Sequence, residues 1–159
     1  MRETDPEEVL LELAQRCDDW MDNLALEANK LKWKFMEQMY GSRDQQPTSD
    51  WFRHSAKVRL MREGGRTLHM TWNRLVWMKF KDGRRVYRAV HIRKGKGLRY
   101  RATAFDPVSE LERALIEETE EGFAQIRRDV QVIGRLRRSI AYALKALAKE
   151  AEREGSTQF

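Results

Sequence analysis

The sequence is poor in cysteine and proline, and it contains no long apolar run. Of its 159 residues three are proline and one, Cys17, is cysteine. A single cysteine excludes an internal disulfide framework and the usual multi-cysteine zinc sites, and its place on an apolar repeat favours a buried thiol over a nucleophile. The acidic N-terminus shows neither a signal peptide nor a membrane span, so we expect a cytoplasmic protein without membrane contact.

Motifs for catalysis and cofactor binding are also missing. The chain has no P-loop, no HExxH motif and no serine elbow, so we expect neither an enzyme nor a bound cofactor. His69 and His91 are in different predicted strands but share the outward face of the predicted sheet. No Asp, Glu or Cys of the sheet is placed to complete a metal site with them. Four glutamates lie close together further on: Glu117, Glu118, Glu120 and Glu121. Adjacent acids on a helix point in different directions, which favours a solvated face.

Acidic residues are nearly absent from the middle third of the chain. Residues 50–101 hold 16 Lys and Arg against three acidic residues, whereas the segments before and after carry a small excess of acid. Like charges repel within a compact segment, so this excess does not serve stability. It predicts a surface that binds a polyanion.

The N-terminal segment, residues 5–39, is predicted to form one long helix. Asp5 can cap the free amides, and Pro6 suits the first helical position. Apolar residues recur three and four apart: Leu10, Leu13, Cys17, Trp20, Leu24, Ala28, Leu31 and Phe35. This rhythm predicts an amphipathic helix that packs on a partner.

A second long helix is predicted over residues 106–153. Asp106 and Pro107 repeat the cap-then-proline start of the first helix. Its apolar positions are Leu111, Leu115, Thr119, Gly122, Ile126, Val130, Ile133, Ile140, Leu144 and Leu147. The rhythm slips near Gly134, where we expect a kink or a break.

The middle block, residues 50–102, has the alternating pattern of a β-meander. Four strands are predicted, at residues 51–62, 66–80, 84–93 and 98–102. Their apolar face carries Phe52, Ala56, Val58, Leu60, Leu68, Met70, Trp72, Val76, Met78, Phe80, Val86, Val90, Ile92, Leu98 and Tyr100. Lys81-Asp82-Gly83 is typical of a hairpin turn, and residues 41–49 form a polar linker.

This order of segments predicts an α+β protein of one domain, residues 1–159. Two long helices form an antiparallel hairpin that flanks and packs on a four-stranded antiparallel meander, in the order α-β-β-β-β-α. The sheet then has one apolar face beneath the helices and one solvated face. We expect Trp20, Trp33, Trp51 and Trp72 in the core and Trp77 on the solvated face.

The solvated face and its turns collect the residues that we expect to bind nucleic acid. These are Arg53, Lys57, Arg59, Asn73, Lys79, Arg84, Arg85, Tyr87, His91, Arg93, Lys94, Lys96, Arg99 and Arg101. Arg and Lys neutralise phosphates, Asn offers neutral hydrogen bonds, and the rings of Tyr87 and Trp77 suit stacking on unpaired bases. The Lys94-Gly95-Lys96-Gly97 turn has two readings, because glycines permit a tight turn and also let backbone amides approach an anion.

Four short stretches are similar to those of one family. They are Leu68-His69-Met70-Thr71-Trp72, the Lys94-Gly95-Lys96-Gly97 turn, Ala104-Phe105, and Leu115-Ile116-Glu117-Glu118-Thr119-Glu120. They resemble the MobI-like conjugative transfer proteins, small accessory factors of integrative and conjugative elements and related plasmids. The resemblance extends from about Trp51 to Ile140. It implies a non-enzymatic helper that acts at an origin of transfer beside a separate relaxase, and it assigns no site residues.

The first hypothesis is therefore a DNA-binding accessory protein of conjugative transfer. Its partners would be DNA, a relaxase or another transfer protein, and a second copy of the chain. The alternative is a scaffold module whose basic sheet docks an acidic protein and whose helices dimerise as a coiled coil. An RNA-binding protein is a weaker alternative, because the aromatic pattern of the RNA-recognition motif is absent. A nuclease ranks last.

Overall fold

The fold consists of two long helices and a three-stranded antiparallel sheet. A computed structural model of the chain describes residues 4–43, 52–63 and 65–157, without the side chains of residues 42 and 43. The elements are α1 (Pro6–Arg43), β1 (His54–Met61), β2 (Thr67–Lys79), β3 (Arg85–His91), a short 3-10 helix (Ala102–Phe105) and α2 (Glu110–Thr157). The predicted α+β class is confirmed, with three strands in place of four. Trp51 and residues 44–50 lie outside the described residues.

Helix α1 begins as its sequence predicts and buries a slightly different stripe. The carboxylate of Asp5 accepts a hydrogen bond from the backbone amide of Glu7 at 3.0 Å, and Pro6 is the first helical residue. Its buried residues are Cys17, Met21, Leu24, Ala25, Ala28, Phe35 and Met39. Leu13, Trp20 and Trp33 are 44%, 41% and 56% exposed, so placing these two tryptophans in the core was wrong. Ala14 and Met21 occupy the three-four rhythm instead.

Helix α2 begins at Glu110, four residues later than predicted. The hydroxyl of Ser109 accepts a hydrogen bond from the Glu112 amide at 3.3 Å and so caps the helix in place of Asp106. Leu111 at its start is 51% exposed rather than buried. The helix runs unbroken past Gly134, so the expected break is absent: one glycine costs only about 1 kcal/mol, which the packing of Ile133 and Ile140 offsets.

The two helices lie antiparallel, as the sequence predicts. Lys34 of α1 pairs with Glu118 of α2 at 2.7 Å, and at the other end Asp18 pairs with Arg137 at 3.2 Å. Between these contacts Gly122 faces Leu31. A Cβ atom on Gly122 would lie 2.5 Å from the Leu31 side chain, so glycine permits the close approach of the helices.

The sheet has the order β1-β2-β3, and its register determines which side chains share a face. Ala56 lies opposite Trp72, and Val58 lies opposite Met70. These even-numbered residues turn toward the helices, and Ala56, Met70 and Trp72 are buried. The ring of Trp72, with no exposed surface, lies 5.0 Å from Phe35 and 5.4 Å from Phe105, centroid to centroid. Trp72 therefore lies at the centre of the core, which confirms the core position that the sequence predicts for it.

The predicted fourth strand, residues 98–102, does not form. After His91 the chain continues without strand structure to the 3-10 helix. Its alternation of burial is real, because Tyr100 is buried while Arg99 and Arg101 are exposed. The backbone groups, however, bond to side chains of α2: the amide of Tyr100 donates to Glu120 at 3.0 Å, and Arg127 donates to the Leu98 carbonyl at 2.7 Å. These side chains take the place of a neighbouring strand.

Candidate nucleic-acid interface

The face of the sheet turned away from the helices is called the open face here. It is formed by odd-numbered residues of all three strands, because neighbouring side chains of a strand point to opposite faces. Leu75 has the same parity but is 8% exposed and belongs to the core. Seven predicted contact residues lie in the strands with this parity: Lys57, Arg59, Asn73, Lys79, Arg85, Tyr87 and His91. The register is continuous through both strand pairs, so the seven share one surface, and Arg53 directly precedes β1.

Cations lie at both ends of the open face. At one end Arg59 is opposite His69 and Lys57 is opposite Thr71. At the other end Lys79 is opposite Arg85. These four cations, Lys57, Arg59, Lys79 and Arg85, are exposed, so each can reach a ligand in solvent.

Polar and aromatic side chains lie between these cations. Asn73 is opposite both Ser55 and His91, and Trp77 is opposite Tyr87. The rings of Trp77 and Tyr87 lie 5.5 Å apart at 65°, and both residues are about half exposed. Trp77 is thus on the solvated side, as its parity predicts. A flat ring beside basic groups is the arrangement on which unpaired bases stack.

The strands carry no acidic residue within the described chain. Asp82 is in the hairpin loop between β2 and β3, where it pairs with Arg84 at 2.5 Å, and Glu63 is in the turn between β1 and β2. An exposed sheet face normally mixes both signs of charge. The open face therefore has a positive potential that no acid of its own strands neutralises.

The distal part of the β2–β3 hairpin, residues 76–90, is called the arm. Every residue from 76 to 91 is exposed, on both faces of the ribbon. The side of the arm that continues the open face carries Trp77, Lys79, Arg85 and Tyr87. The opposite side carries Val76, Met78, Val86, Arg88 and Val90, and beyond the strand ends Phe80 with the Arg84 guanidinium 5.8 Å from its ring. These apolar residues have the predicted parity, but their burial was wrongly predicted because the helices do not extend over them.

The remaining predicted contact residues lie outside the strands: Arg84, Arg93, Lys94, Lys96, Arg99 and Arg101. Arg84 bonds to Asp82 within the hairpin loop. The ammonium of Lys94 donates to the carbonyl of Gly97, and Gly95 has a φ of +85°. Both features serve a tight turn, so they favour the structural reading of this glycine-containing segment. The other four arginine and lysine side chains are exposed.

Two cations of the basic segment are committed to internal contacts. Arg66 pairs with Asp18 at 2.9 Å and with Asp22 at 3.1 Å on α1. Arg74 donates to the carbonyls of Ala104 and Asp106, both at 2.9 Å. The carboxylates of Asp18 and Asp22 thus neutralise the charge of Arg66 on the side of the sheet that faces α1. The charge that remains is concentrated on the open face and its turns.

A buried ion pair holds the sheet against α2. Arg127 donates to Glu120 through two nitrogens, at 2.9 and 3.1 Å, and also to the Met70 carbonyl at 2.9 Å. Glu120 accepts in addition from the indole of Trp72 at 2.8 Å. Glu120 and Arg127 are 4% and 8% exposed, so reading Glu120 as part of a solvated face was wrong. The sequence feature that could have indicated this pair is an acid and a base seven residues apart, each directly after a residue of the predicted apolar stripe.

Tyr100 completes this cluster. Its hydroxyl accepts a weak hydrogen bond from the Trp72 amide at 3.4 Å, and the Arg127 guanidinium lies 5.3 Å from its ring. Burial raises the pKa of the Tyr100 hydroxyl above its ordinary value of 10.0. The hydroxyl is therefore neutral at physiological pH. The cluster of Glu120, Arg127, Trp72 and Tyr100 ties α2 to β2 and to the chain after β3.

A second buried carboxylate fixes the start of β1. One oxygen of Glu112 accepts from the amides of Arg53 and His54, at 2.8 and 2.9 Å, and is 2.8 Å from Nδ1 of His54. Glu112 and His54 are 1% and 0% exposed. Neither residue was expected to matter from the sequence. The contact holds the backbone of Arg53 and His54 where β1 begins.

The other clustered glutamates line a shallow groove of about 480 Å³ beside α2. Glu117, Glu118 and Glu121 are exposed there, as predicted, with Arg99 and Arg113 at its border. Among the described residues no group of three His, Cys, Asp or Glu could hold a metal ion. Within the same ranges no helix is long and apolar enough to cross a membrane.

Comparison with known proteins gives one match. A family model described as MobI protein matches residues 24–141, which include most of α1, the whole sheet and much of α2. No curated protein matches the chain, and no solved structure does. The matched range contains the open face, the arm and both buried carboxylates. The chain therefore belongs to the MobI family, an accessory mobilisation family that is not a known enzyme family, and this membership indicates a role in conjugative mobilisation.

Proposed function

We propose that this protein is a DNA-binding accessory factor of conjugative transfer. It holds DNA on the open face, at the origin of transfer, and assists a separate relaxase. The observation that carries the proposal is a sheet face with cations at both ends and no acid on its strands. Membership of the MobI family supports the setting in which that DNA is bound.

The size of the open face suits duplex DNA. Ten residues of β2 separate His69, opposite Arg59, from Lys79, opposite Arg85. At about 3.3 Å per residue this is about 33 Å, close to the length of one helical turn of DNA. The two cationic ends can therefore contact phosphates one turn apart. Asn73, Trp77 and Tyr87 then face the groove between them.

The test of DNA binding compares two triple variants of equal net charge. Lys57→Ala, Arg59→Ala and Arg85→Ala remove three cations from the open face. Lys30→Ala, Lys145→Ala and Lys149→Ala remove three exposed lysines from the helices. Fluorescence anisotropy with a labelled duplex is measured over a salt series, with circular dichroism to check folding.

The open-face variant should lose at least tenfold in affinity, and its slope of log affinity against log salt should fall by about 3. The helix variant should bind like the unchanged chain. Equal losses in both variants would mean that only net charge matters, and this result would end the proposal. A single-stranded probe and an RNA hairpin of the same length decide between duplex DNA and the RNA alternative.

The relaxase step needs its own experiment. Nicking of a supercoiled plasmid that carries the origin of transfer is measured with the purified relaxase of the same element, with and without this protein. Nicking should be faster with the unchanged chain and with the helix variant, and not with the open-face variant. An identical rate in all reactions would remove relaxase assistance and leave DNA binding intact.

One observation favours the scaffold alternative as a second candidate. Leu26, Trp33 and Tyr40 are seven residues apart on α1 and 63%, 56% and 52% exposed. Such a row on one helix face is suited to a helix partner. A pull-down from cells, with and without nuclease, separates the two functions, because a protein scaffold keeps its partners after nuclease treatment.

A further inference from the structure

Both helices carry exposed apolar side chains on the side of the hairpin that faces away from the sheet. Five of them, each between 37% and 45% exposed, are called the rear patch here: Val9, Leu13, Trp20, Val132 and Leu136. Asp22 marks the opposite side of α1, because it pairs with Arg66 directly before β2. Arg127 marks that side on α2, because it donates to the Met70 carbonyl. By helix geometry the rear patch lies about half a turn from both.

The two helices form one continuous patch. Leu13 and Trp20 are seven residues apart and so share one face of α1. Because Asp18 pairs with Arg137 across the hairpin, Trp20 and Leu136 lie at about the same height along its axis. Single exposed apolar residues are common, but a contiguous set from two neighbouring helices marks an interaction site.

The charge beside the rear patch has opposite signs on the two helices. Residues 6–27 of α1 hold seven acids and one base, whereas residues 127–149 of α2 hold seven bases and one acid. Part of this charge is paired within the chain, including Arg16 of α1 with Glu12. The net charge that borders the patch is therefore negative along α1 and positive along α2.

Four exposed side chains beside the rear patch keep their charge: Asp19, Glu27, Arg128 and Arg135. Asp19 accepts a hydrogen bond from Gln15, and Arg128 donates to Gln125, and neither of these neutral amides cancels a charge. An occupant of the patch that satisfies these groups must place bases beside α1 and acids beside α2, on the two sides of an apolar centre.

We propose that the rear patch packs against the rear patch of a second copy of the chain. The division of charge selects this occupant. DNA, RNA and anionic lipids offer no base to the acids of α1, so charge disfavours them at this site. A second copy presents an apolar patch with a basic helix on one side and an acidic helix on the other, which is the required complement.

The same charges fix the orientation of the two copies. A two-fold axis parallel to the helices places α1 of each copy beside α2 of the other and leaves every residue at its own height. At the heights set by the pairing within the chain, Asp19 then faces Arg135 of the other copy. Glu27 is eight residues further along α1 and faces Arg128, seven residues back along α2. A two-fold axis across the helices would instead place α1 beside α1, acid against acid.

The area available predicts a weak dimer. The patch and its charged border extend from Val9 to Glu27, about 27 Å along a hairpin that is about 20 Å wide. Each copy therefore contributes on the order of 500 Å², and the two together bury on the order of 1,000 Å², the lower limit for a specific interface. The open faces stay uncovered, because the sheet lies on the other side of the hairpin.

Sedimentation analysis of the full chain, without DNA and at about 0.15 M salt, tests the dimer directly. The unchanged chain should pass from monomer to dimer between about 1 and 500 μM. Leu136→Lys places a charge inside the rear patch and should raise the dissociation constant at least about tenfold. Its control, Leu26→Lys, makes the same change at a leucine on another face of α1 that is 63% exposed, and it should still dimerise. Circular dichroism checks that both variants are folded.

An exchange of charges tests the orientation. One variant combines Asp19→Arg with Glu27→Arg, and the other combines Arg128→Glu with Arg135→Glu. Each variant alone sets like charges against each other in both halves of the dimer and should remain monomeric. An equal mixture should dimerise again, because every facing pair is then of opposite sign.

A monomer at every concentration would overturn the proposal, and so would a mixture that does not associate. A dimer that Leu26→Lys breaks and Leu136→Lys leaves intact would place self-association on the other face of α1. A monomeric chain that loses a protein partner on Leu136→Lys would assign the rear patch to that partner instead. None of these outcomes bears on DNA binding, because Lys57, Arg59 and Arg85 are unchanged in all the variants.

Discussion

The two halves of β2 differ in what surrounds them. Around Trp72 the strand is buried on its covered side and is held there by a charged pair and an indole hydrogen bond from α2. Beyond Leu75 the same strand is exposed on both sides, and its neighbour β3 is exposed throughout. The first half is packed into the core, and the second half presents both of its sides to solvent. Substitutions should therefore separate the two properties, and the following predictions run from the largest expected change in stability to the smallest.

Truncation of Glu120 should have the largest effect on stability. Glu120→Ala leaves the Arg127 guanidinium buried without its acid and removes the partners of the Trp72 indole and the Tyr100 amide. Loss of one member of a buried ion pair costs about 3–5 kcal/mol. Urea unfolding followed by circular dichroism gives the free energy. If Glu120→Ala does not fold, Glu120→Gln, whose one carbonyl oxygen can keep two of the four hydrogen bonds, should fold with a smaller loss.

The exposed pair Lys34 and Glu118 provides the control for that measurement. Both side chains are more than half exposed at a separation of 2.7 Å. Surface pairs contribute less than about 1 kcal/mol, so Lys34→Ala should unfold close to the unchanged chain. A similar loss for Lys34→Ala and Glu120→Ala would contradict the role assigned to burial.

Glu112→Ala should have the next largest effect. The substitution leaves the amides of Arg53 and His54 and the His54 ring without their shared acceptor. Hydrogen bonds to a charged group are worth about 1.5–3 kcal/mol, so we expect a loss of that order in the free energy of unfolding. Amide hydrogen exchange should show faster exchange at the start of β1 than in β2. Uniform acceleration over the whole sheet would show that Glu112 does not act locally.

Tyr100 should make stability sensitive to alkaline pH. Because burial raises its pKa, the folded chain keeps the hydroxyl proton at a pH where the unfolded chain has lost it. Its contribution is therefore present below pH 10 and is lost as the pH rises through the folded pKa. Urea midpoints between pH 9 and 11 should fall more steeply for the unchanged chain than for Tyr100→Phe. Parallel curves would show that the phenol does not titrate in this way.

Removal of the arm should have the smallest effect on stability. Replacing residues 78–86 by Asn-Gly joins Trp77 and Tyr87, which are opposite each other, through a two-residue turn. None of the deleted residues is buried, so the free energy of unfolding should change by less than about 1 kcal/mol. Affinity for DNA should fall, because Lys79 and Arg85 are removed. Loss of the fold would mean that the arm supports the core and that the two halves of β2 are not separate.

The sequence predicts orientation well and coverage poorly. Alternation correctly assigns Trp72 and Trp77 to opposite faces, because it follows from strand geometry alone. It says nothing about how far the helices reach, and for this reason Val76 and Met78 were expected to be buried. Coverage depends on where α1 and α2 lie over the sheet, which no local pattern contains.

The fourth strand was missed for a related reason. The pattern around Tyr100 is that of a strand, but the groups that satisfy its backbone come from Glu120 and Arg127, 20 and more residues away. Only tertiary packing decides whether these backbone groups bond to a neighbouring strand or to side chains. The register places Lys57, Arg59, Asn73, Lys79, Arg85, Tyr87 and His91 on one face, while their contact with DNA is a prediction that the triple variants test.

The continuity of β2 has a mechanical consequence. Thr67–Lys79 contains neither glycine nor proline, and its pairing with β3 runs without a bulge into the arm. The strand thus lacks the residues at which strands commonly bend, so the arm is a stiff extension of the segment that carries Trp72. A force applied to the tip is transmitted to the contact between Trp72 and Glu120 rather than absorbed at a hinge.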